Sequence, residues 1–264
     1  MKTAIIGAGN LGLAIAKGII NSKSAQSLYI TKRNISSLKE LETLENVFLT
    51  SDNEKAIKNS DIIIFAVQPR DFEEILSQYK EIITQDHTLI STVAGFSTDK
   101  IEKIIGESRY IIRSMPNTAI SINQSMTCIC ANKKGKERIN LALDIFNRLG
   151  HSIEIPEEQM QAATVICASG IAFWMRLIRA TTQGAVELGF ESKEALEMAL
   201  HTCLGAAGLL LSSPNHPEQE IDKVTTPGGC TIAGLNEMEH QGLSSSIIKG
   251  LLASYNKISQ LAKK

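Results

Sequence analysis

The residues best placed to do chemistry lie in Lys223–Leu235, KVTTPGGCTIAGL. Pro227-Gly228-Gly229 cannot continue a helix, and Thr231-Ile232-Ala233 is apolar enough to begin one, so the stretch reads as a tight loop opening a helix. A helix start leaves backbone N–H groups without intrahelical acceptors, and its dipole favours negative charge in front of them. Gly228 and Gly229 leave those donors unshielded. The hydroxyls of Thr225, Thr226 and Thr231, on either side of the glycines and Cys230, can donate as well as accept. The chemistry on offer is capture of a small anion. The plainer reading is a loop whose threonine caps a helix.

A second glycine cluster stands at the other end of the chain. Thr3-Ala4-Ile5-Ile6 is a short β-rich run, followed at once by Gly7-Ala8-Gly9-Asn10-Leu11-Gly12 and the apolar-periodic Leu13–Ile20. G-x-G-x-x-G alone is a weak signal. Here a strand precedes it, a helix follows, and a second strand at Leu28–Thr31 closes a βαβ unit of dinucleotide-binding type. Gly7 permits the tight turn, Gly9 lets the backbone approach a pyrophosphate, and Gly12 lets the helix pack close to the strand. A glycine-rich turn with no ligand is the alternative. At the end of the second strand an NAD site usually carries an acid for the ribose 2′-hydroxyl, whereas this chain has Thr31-Lys32-Arg33-Asn34. Two cations and a hydroxyl suit a 2′-phosphate, which favours NADP(H) over NAD(H); the alternative is that both cations are solvated surface charges.

The elements that must position these clusters follow a regular grammar up to Ile155. Strands are expected at Val47–Leu49, Ile62–Val67, Thr88–Val93, Tyr110–Met115, Met126–Ala131 and Ser152–Ile155. Helices are expected from Asn34 to Leu44, after Asp52, and over Asp71–Ile83, Thr98–Ile105 and Glu137–Leu149. The alternation predicts a Rossmann-like, doubly wound, mostly parallel sheet. Its ligand would lie beyond the strand ends Gly7–Gly12, Ala66–Pro69 and Met115–Thr118. After Pro156 no strand is expected. Helical stretches run over Glu158–Leu188, Ser192–Leu211, Thr231–His240 and Ser244–Ala262, and the first is apolar over more than one face, as for a helix that another subunit covers. The fold class is therefore α/β plus all-α: a dinucleotide domain over residues 1–156 and a helical dimerisation domain over 157–264.

Composition limits the function classes. The chain has 264 residues, 43 % apolar and 21 % charged, with a net charge of −1 and no charge block, which argues against nucleic acid or a membrane surface as partner. The first strand leaves no room for a signal peptide, no apolar run approaches the roughly 20 residues of a membrane span, and charged residues punctuate every helical stretch. Five cysteines without CxxC spacing read as reduced thiols of a cytoplasmic protein, and Cys128 and Cys130 as packing residues on one strand face. Five scattered histidines give no metal site.

IIGAGNLG, FAVQP, RSMPNTA and above all HPEQEIDKVTTPGGCTIAGL give the chain, over essentially its whole length, a resemblance to the Δ1-pyrroline-5-carboxylate reductase family. The resemblance implies reduction of a cyclic imine carboxylate to proline, with Ile6–Gly12 (Ile6, Gly7, Ala8, Gly9, Asn10, Leu11, Gly12) around the pyrophosphate and Thr31, Lys32 and Arg33 on the 2′-phosphate. Asn53 would reach the adenosine end; Ala66, Val67, Gln68, Pro69, Met115, Pro116 and Asn117 would border the nicotinamide. The substrate carboxylate would sit on the Gly228–Thr231 loop, within reach of Thr225 and Thr226, beside the long helix of a partner subunit in a homodimer or larger oligomer. The chemistry needs no metal or nucleophile, only held geometry and a polar group near the ring nitrogen, for which Thr231 is the candidate.

The chain departs from the family pattern in three places. Gln68 replaces the lysine of AVKP, Cys167–Phe173 (CASGIAF) replaces SGSGPAY, and Met115–Ile120 (MPNTAI) replaces MPNTPA. The departures leave room for a related cyclic imine as substrate. A 3-hydroxyacid-dehydrogenase-like enzyme would resemble this plan but typically uses a lysine in the long helix, and Glu158–Leu188 has none. A non-catalytic NADP-binding paralogue would keep the fold without the loop around Thr231.

Overall fold

A computed structural model describes the chain from Met1 to Leu261, with side chains to Ile258; the expected helix end at Ala262 and domain end at Lys264 lie outside these residues. The eight expected strands are all present: β1 Lys2–Ile6, β2 Ser27–Thr31, β3 Val47–Thr50, β4 Ile62–Phe65, β5 Thr88–Ser91, β6 Tyr110–Met115, β7 Ser125–Ala131 and β8 Gly150–Glu154. They form one sheet in the order β3-β2-β1-β4-β5-β6-β7-β8. Every neighbouring pair is parallel except β6 with β7. Strand order reverses between β1 and β4, where Ile6 pairs with Phe65.

Alternation along the strands explains both faces of the sheet. Ile5, Ile30, Ile64, Ile90 and Ile112 point to the side carrying α1 (Asn10–Ser22) and α5 (Ile139–Asn147). Ala4, Ile6, Ile63, Phe65 and Leu89 point to the side carrying α2 (Asn53–Lys58), α3 (Pro69–Tyr79) and α4 (Thr98–Ile105). All four residues of β4 are buried, as expected of a central parallel strand. It ends at Phe65 rather than Val67, because the chain turns off to start α3 with Pro69 at its first position. The segment after Asn34 is a 3-10 helix, Ile35–Leu41, not an α-helix. Asn34 accepts from the Ser36 amide and hydroxyl, and its carbonyl accepts from Ser37, so side chains compete for the local backbone.

The expected single helix from Glu158 is also interrupted. A 3-10 turn, Glu157–Gln159, leads into α6 (Met160–Ala163), then a π-helical turn, Thr164–Ser169, then α7 (Gly170–Glu187). Two side-chain bonds pull on the ladder there: Thr164 Oγ1 donates to the Met160 carbonyl, and Asn117 Nδ2 donates to the Cys167 carbonyl. Residues 1–169, with the C-terminal turns from Tyr255, form one compact unit; Gly170–Ser254 forms another. The latter holds α7, α8 (Ser192–Ser212), α9 (Pro217–Asp222), α10 (Cys230–His240) and most of α11 (Leu243–Leu261). Helix α9 was not expected; its signals are Pro217 at the first position and a reciprocal His216–Gln219 capping box.

Glu157 fixes the start of the helical run to the sheet. Its carboxylate accepts from Arg113 at 2.8 Å and from the Thr98 amide at 2.7 Å and hydroxyl at 2.5 Å. Burial alone would raise this carboxyl, but the bonds from Thr98 and Arg113 outweigh it and hold it below the ordinary 4.5. The stability this adds is fully present above the ordinary carboxylate range and is lost as pH falls through the lowered value. Glu157→Ala is expected to cost about 3 kcal/mol, the lower end for breaking a buried pair, because Glu157 keeps 26 % of its side chain exposed. Urea titrations across the acid range will show a flatter pH dependence in the variant; an unchanged midpoint and slope would show the bridge to be dispensable.

Candidate active site

Where β1 ends, Gly7 takes φ +98°, a conformation that side-chain-bearing residues rarely adopt. A Cβ on Gly7 would come within 2.6 Å of Val67 Cγ1, and one on Gly12 within 2.1 Å of the Gly7 carbonyl. Those two glycines are needed by the protein itself. A Cβ on Gly9 would meet no protein atom within 4 Å, so the space above it is open. Gly9 is the N-cap of α1 without a side-chain cap, and no acid stands in the first turn. The first helical bond, from Leu13 to the Gly9 carbonyl, leaves the amides of Asn10, Leu11 and Gly12 without intrahelical partners. Ile6 and Ala8 are buried and offer only backbone to this cradle. The residues fit a diphosphate.

Thr31 is placed differently from expectation. It is 2 % exposed, its carbonyl accepts from the Ala8 amide at 2.8 Å, and its hydroxyl accepts from the Gly7 amide at 3.2 Å. It braces the glycine loop from beneath, because the parallel β1–β2 register sets it beside Ile6. Lys32 and Arg33 follow it at the strand end. Arg33 is exposed, and Lys32 Nζ donates to Ser37 Oγ at 2.8 Å, which adds Ser37 to the cationic corner. The Lys32 amide bonds to the Thr50 carbonyl, so the α2 start, capped by Asp52 and holding Asn53, follows the strand next door.

The strand ends Ala66–Pro69 and Met115–Asn117 are ordered by their own bonds. The Ala66 amide donates to the Ile6 carbonyl at 2.9 Å, holding this connection beside the glycine loop, while Gln68 and Pro69 are exposed. Met115 and Pro116 are buried, and Asn117 caps the turn that follows through the Ala119 amide. The turn after β5, Ala94–Gly95, was not expected beside Gln68 and Pro69. It lines a cleft of about 900 Å³ together with Gln68, Pro69, Arg70 and Lys100. Its signal was a glycine at a parallel strand end, and Gly95 indeed has φ +82°.

In the helical unit, the loop before α10 is a second cradle. Lys223, Ser213 and Asn215 converge on the Glu220 carboxylate, hold it down to about 2, and anchor the approach to the loop. Thr225 donates to the Asp222 carbonyl, and the Gly229 amide donates to the Thr226 carbonyl. Gly228 has φ +67°, and a Cβ on Gly229 would come within 2.4 Å of Thr226 Oγ1. Helix α10 begins at Cys230 with Gly229 as N-cap, so Thr231 is not the cap. Its first bond, from Ala233 to the Gly229 carbonyl, leaves the amides of Cys230, Thr231 and Ile232 without intrahelical partners. The Thr231 hydroxyl makes no hydrogen bond among the described residues.

The comparisons bear on both units. The family described as pyrroline-5-carboxylate reductase dimerisation matches residues 157–261, and that described as NADP oxidoreductase coenzyme F420-dependent matches residues 2–95. Pyrroline-5-carboxylate reductase 1 of Dictyostelium discoideum is 44 % identical over 98 % of this chain, which spans about half of that relative, 49 %. Pyrroline-5-carboxylate reductase 2 of the same organism is 41 % identical over 97 % of this chain and 92 % of its own length. The chain belongs to the pyrroline-5-carboxylate reductase family. The solved structure of the Plasmodium falciparum pyrroline carboxylate reductase with NADP bound superposes with a TM-score of 0.90 at 26 % identity, covering 99 % of this chain and 98 % of that one. Membership of this reductase family also bears on α7 and α8. Contrary to the sequence expectation, Glu157–Glu187 and Ser192–Ser212 are long and apolar enough to cross a membrane. The family match assigns these helices to a dimerisation domain instead.

Proposed function

We propose that this chain is a pyrroline-5-carboxylate reductase, reducing the C=N of 1-pyrroline-5-carboxylate to L-proline with NADPH in proline biosynthesis. The observation that carries the reading is the open helix start at Gly229–Thr231, an anion cradle with an unengaged hydroxyl, in a chain that has the family's dinucleotide loop. The cofactor's diphosphate is assigned to the backbone of Ile6–Gly12, its 2′-phosphate to Lys32, Arg33 and Ser37, and its adenosine end to Asn53. Its nicotinamide is assigned to Ala66–Pro69 and Met115–Asn117. When bound, the reduced nicotinamide supplies a hydride. The amides of Gly228, Cys230 and Thr231, with the Thr226 hydroxyl, hold the substrate carboxylate, while the Gly229 amide and the Thr225 hydroxyl, engaged by the Thr226 and Asp222 carbonyls, shape the loop around it. The Thr231 hydroxyl hydrogen-bonds the ring nitrogen, which ends the reaction protonated. A threonine is too weak an acid to be the proton source, so it orients the ring or relays a solvent proton.

The working form is a homodimer in the cytoplasm, built through the helical domain. Trp174 is 62 % exposed, Leu204 69 % and Leu211 89 % in the single chain, an apolar surface that a second copy would cover. Mixing the protein with pyrroline-5-carboxylate and NADPH should consume reduced-cofactor absorbance and yield proline; absence of turnover would overturn the reading. NADH should serve as the poorer donor. Arg33→Ala is expected to raise KM for NADPH roughly 10-fold to 100-fold, the scale for losing hydrogen bonds to a charged group, and to leave KM for NADH unchanged. Equal effects on both cofactors would move the 2′-phosphate site elsewhere.

A further inference from the structure

Two thiols that the proposed reaction does not use lie beside one of its strand ends. Cys128 on β7 stands opposite Met115 in the antiparallel register and is 4 % exposed. Its Sγ lies 3.6 Å from the Sγ of Cys167, which is half-buried on the π-helical turn Thr164–Ser169. The Cys167 carbonyl is also the acceptor for Asn117 Nδ2, at 3.0 Å. One residue thus touches the β7 thiol with its side chain and the Met115–Asn117 segment with its backbone. The turn carrying it is a locally widened helix, a form that can shift without unfolding. The other thiols are not placed for this: Cys130 is buried and pushed up to about 12 by that burial, while Cys203 and Cys230 lie on α8 and α10.

We propose that Cys128 and Cys167 are a reversible redox pair. Cys167 is the sulfur that a peroxide meets, and the disulfide pins the π turn to β7 and displaces Met115–Asn117. The hydrogen bond from the Cys128 thiol holds Cys167 below the usual thiol range, and the same contact together with burial pushes Cys128 up, so Cys167 is the nucleophile and Cys128 the resolving thiol. The Cys167 thiolate attacks a peroxide oxygen and breaks the O–O bond, leaving a sulfenic acid and, after proton uptake, water. Cys128 then attacks that sulfur, and its proton leaves with the hydroxide as a second water. Two thiols and one peroxide become one disulfide and two waters; a dithiol reverses it.

The effect on rate rests on the reductase reading, whereas the bond is measured without it. Treating the 264-residue chain with stoichiometric hydrogen peroxide should reduce its titratable thiols from five to three. Peptide mapping with fragmentation should join Cys128 to Cys167. Turnover should fall roughly 10-fold or more, the scale of an ångström-level misplacement at a reacting centre, and return with dithiothreitol. Cys167→Ser should keep the reduced rate and resist peroxide, while Cys203→Ser should behave as the unaltered chain. Five surviving thiols, a bond mapped to other cysteines, or an oxidised enzyme working at the reduced rate would each overturn the proposal. If the reduced protein turns over no substrate, the reductase reading fails and the mapped bond still decides the pair.

Discussion

Thr231→Ala will lower kcat/KM for pyrroline-5-carboxylate by about 10-fold to 10³-fold, the range for removing one preorganised donor at a reacting centre. The fold should not notice. Thr231 sits at the second position of α10, Gly229 rather than Thr231 is the N-cap, and the hydroxyl has no partner among the described residues to lose. Thermal unfolding of the variant should therefore match that of the unaltered chain, and KM for NADPH should stay where it was. Thr231→Ser keeps the hydroxyl and should recover most of the rate. Undiminished turnover in the alanine variant would remove Thr231 from the chemistry. A large drop in melting temperature would recast it as a structural residue.

The second large effect separates what the glycine loop does for the protein from what it does for the ligand. A Cβ on Gly12 would overlap the Gly7 carbonyl at 2.1 Å, backbone against backbone, with no flexible side chain to give way. Gly12→Ala should therefore cost stability, about 1–3 kcal/mol as overpacking of a tight contact does, and cofactor affinity with it. A Cβ on Gly9 meets nothing in the protein but occupies the space above the amides of Asn10–Gly12. Gly9→Ala should leave the unfolding midpoint unchanged and weaken NADPH binding roughly 10-fold to 100-fold, as expected when hydrogen bonds to a charged group are lengthened or lost. Calorimetric titration alongside chemical unfolding reads both. If Gly9→Ala binds NADPH normally, the diphosphate does not approach this loop.

What sequence reading could see here was set by periodicity. Strands buried on both faces announce themselves as continuous apolar runs, and Ile62–Phe65 is an example. Gly7, Gly9 and Gly12 were legible because their spacing has a distinct backbone reason at each position. The burial of Thr31 under the glycine loop was not legible, for the opposite reason. The Thr31 hydroxyl accepts from the Gly7 amide, a contact created by the register of two strands separated by a whole helix. The π turn at Thr164–Ser169 was likewise invisible, since one of the bonds that distort it comes from Asn117, far away along the chain. Ser37 beside Lys32 depends on a 3-10 turn where an α-helix was expected. Helix α9, by contrast, carries its own local signals, His216-Pro217 and Gln219. The loop opening a helix at Gly228–Thr231 was legible from local chemistry, whereas the proposal of a substrate for it came only with the family resemblance.

The most direct test of the account follows the transferred hydrogen. With NADPH carrying deuterium at the transferable position of nicotinamide C4, the proline formed should gain one deuterium, bound to the carbon that had been the imine carbon, in step with cofactor oxidation. Proline formed without label, label on another carbon, or cofactor oxidised with no proline would contradict it.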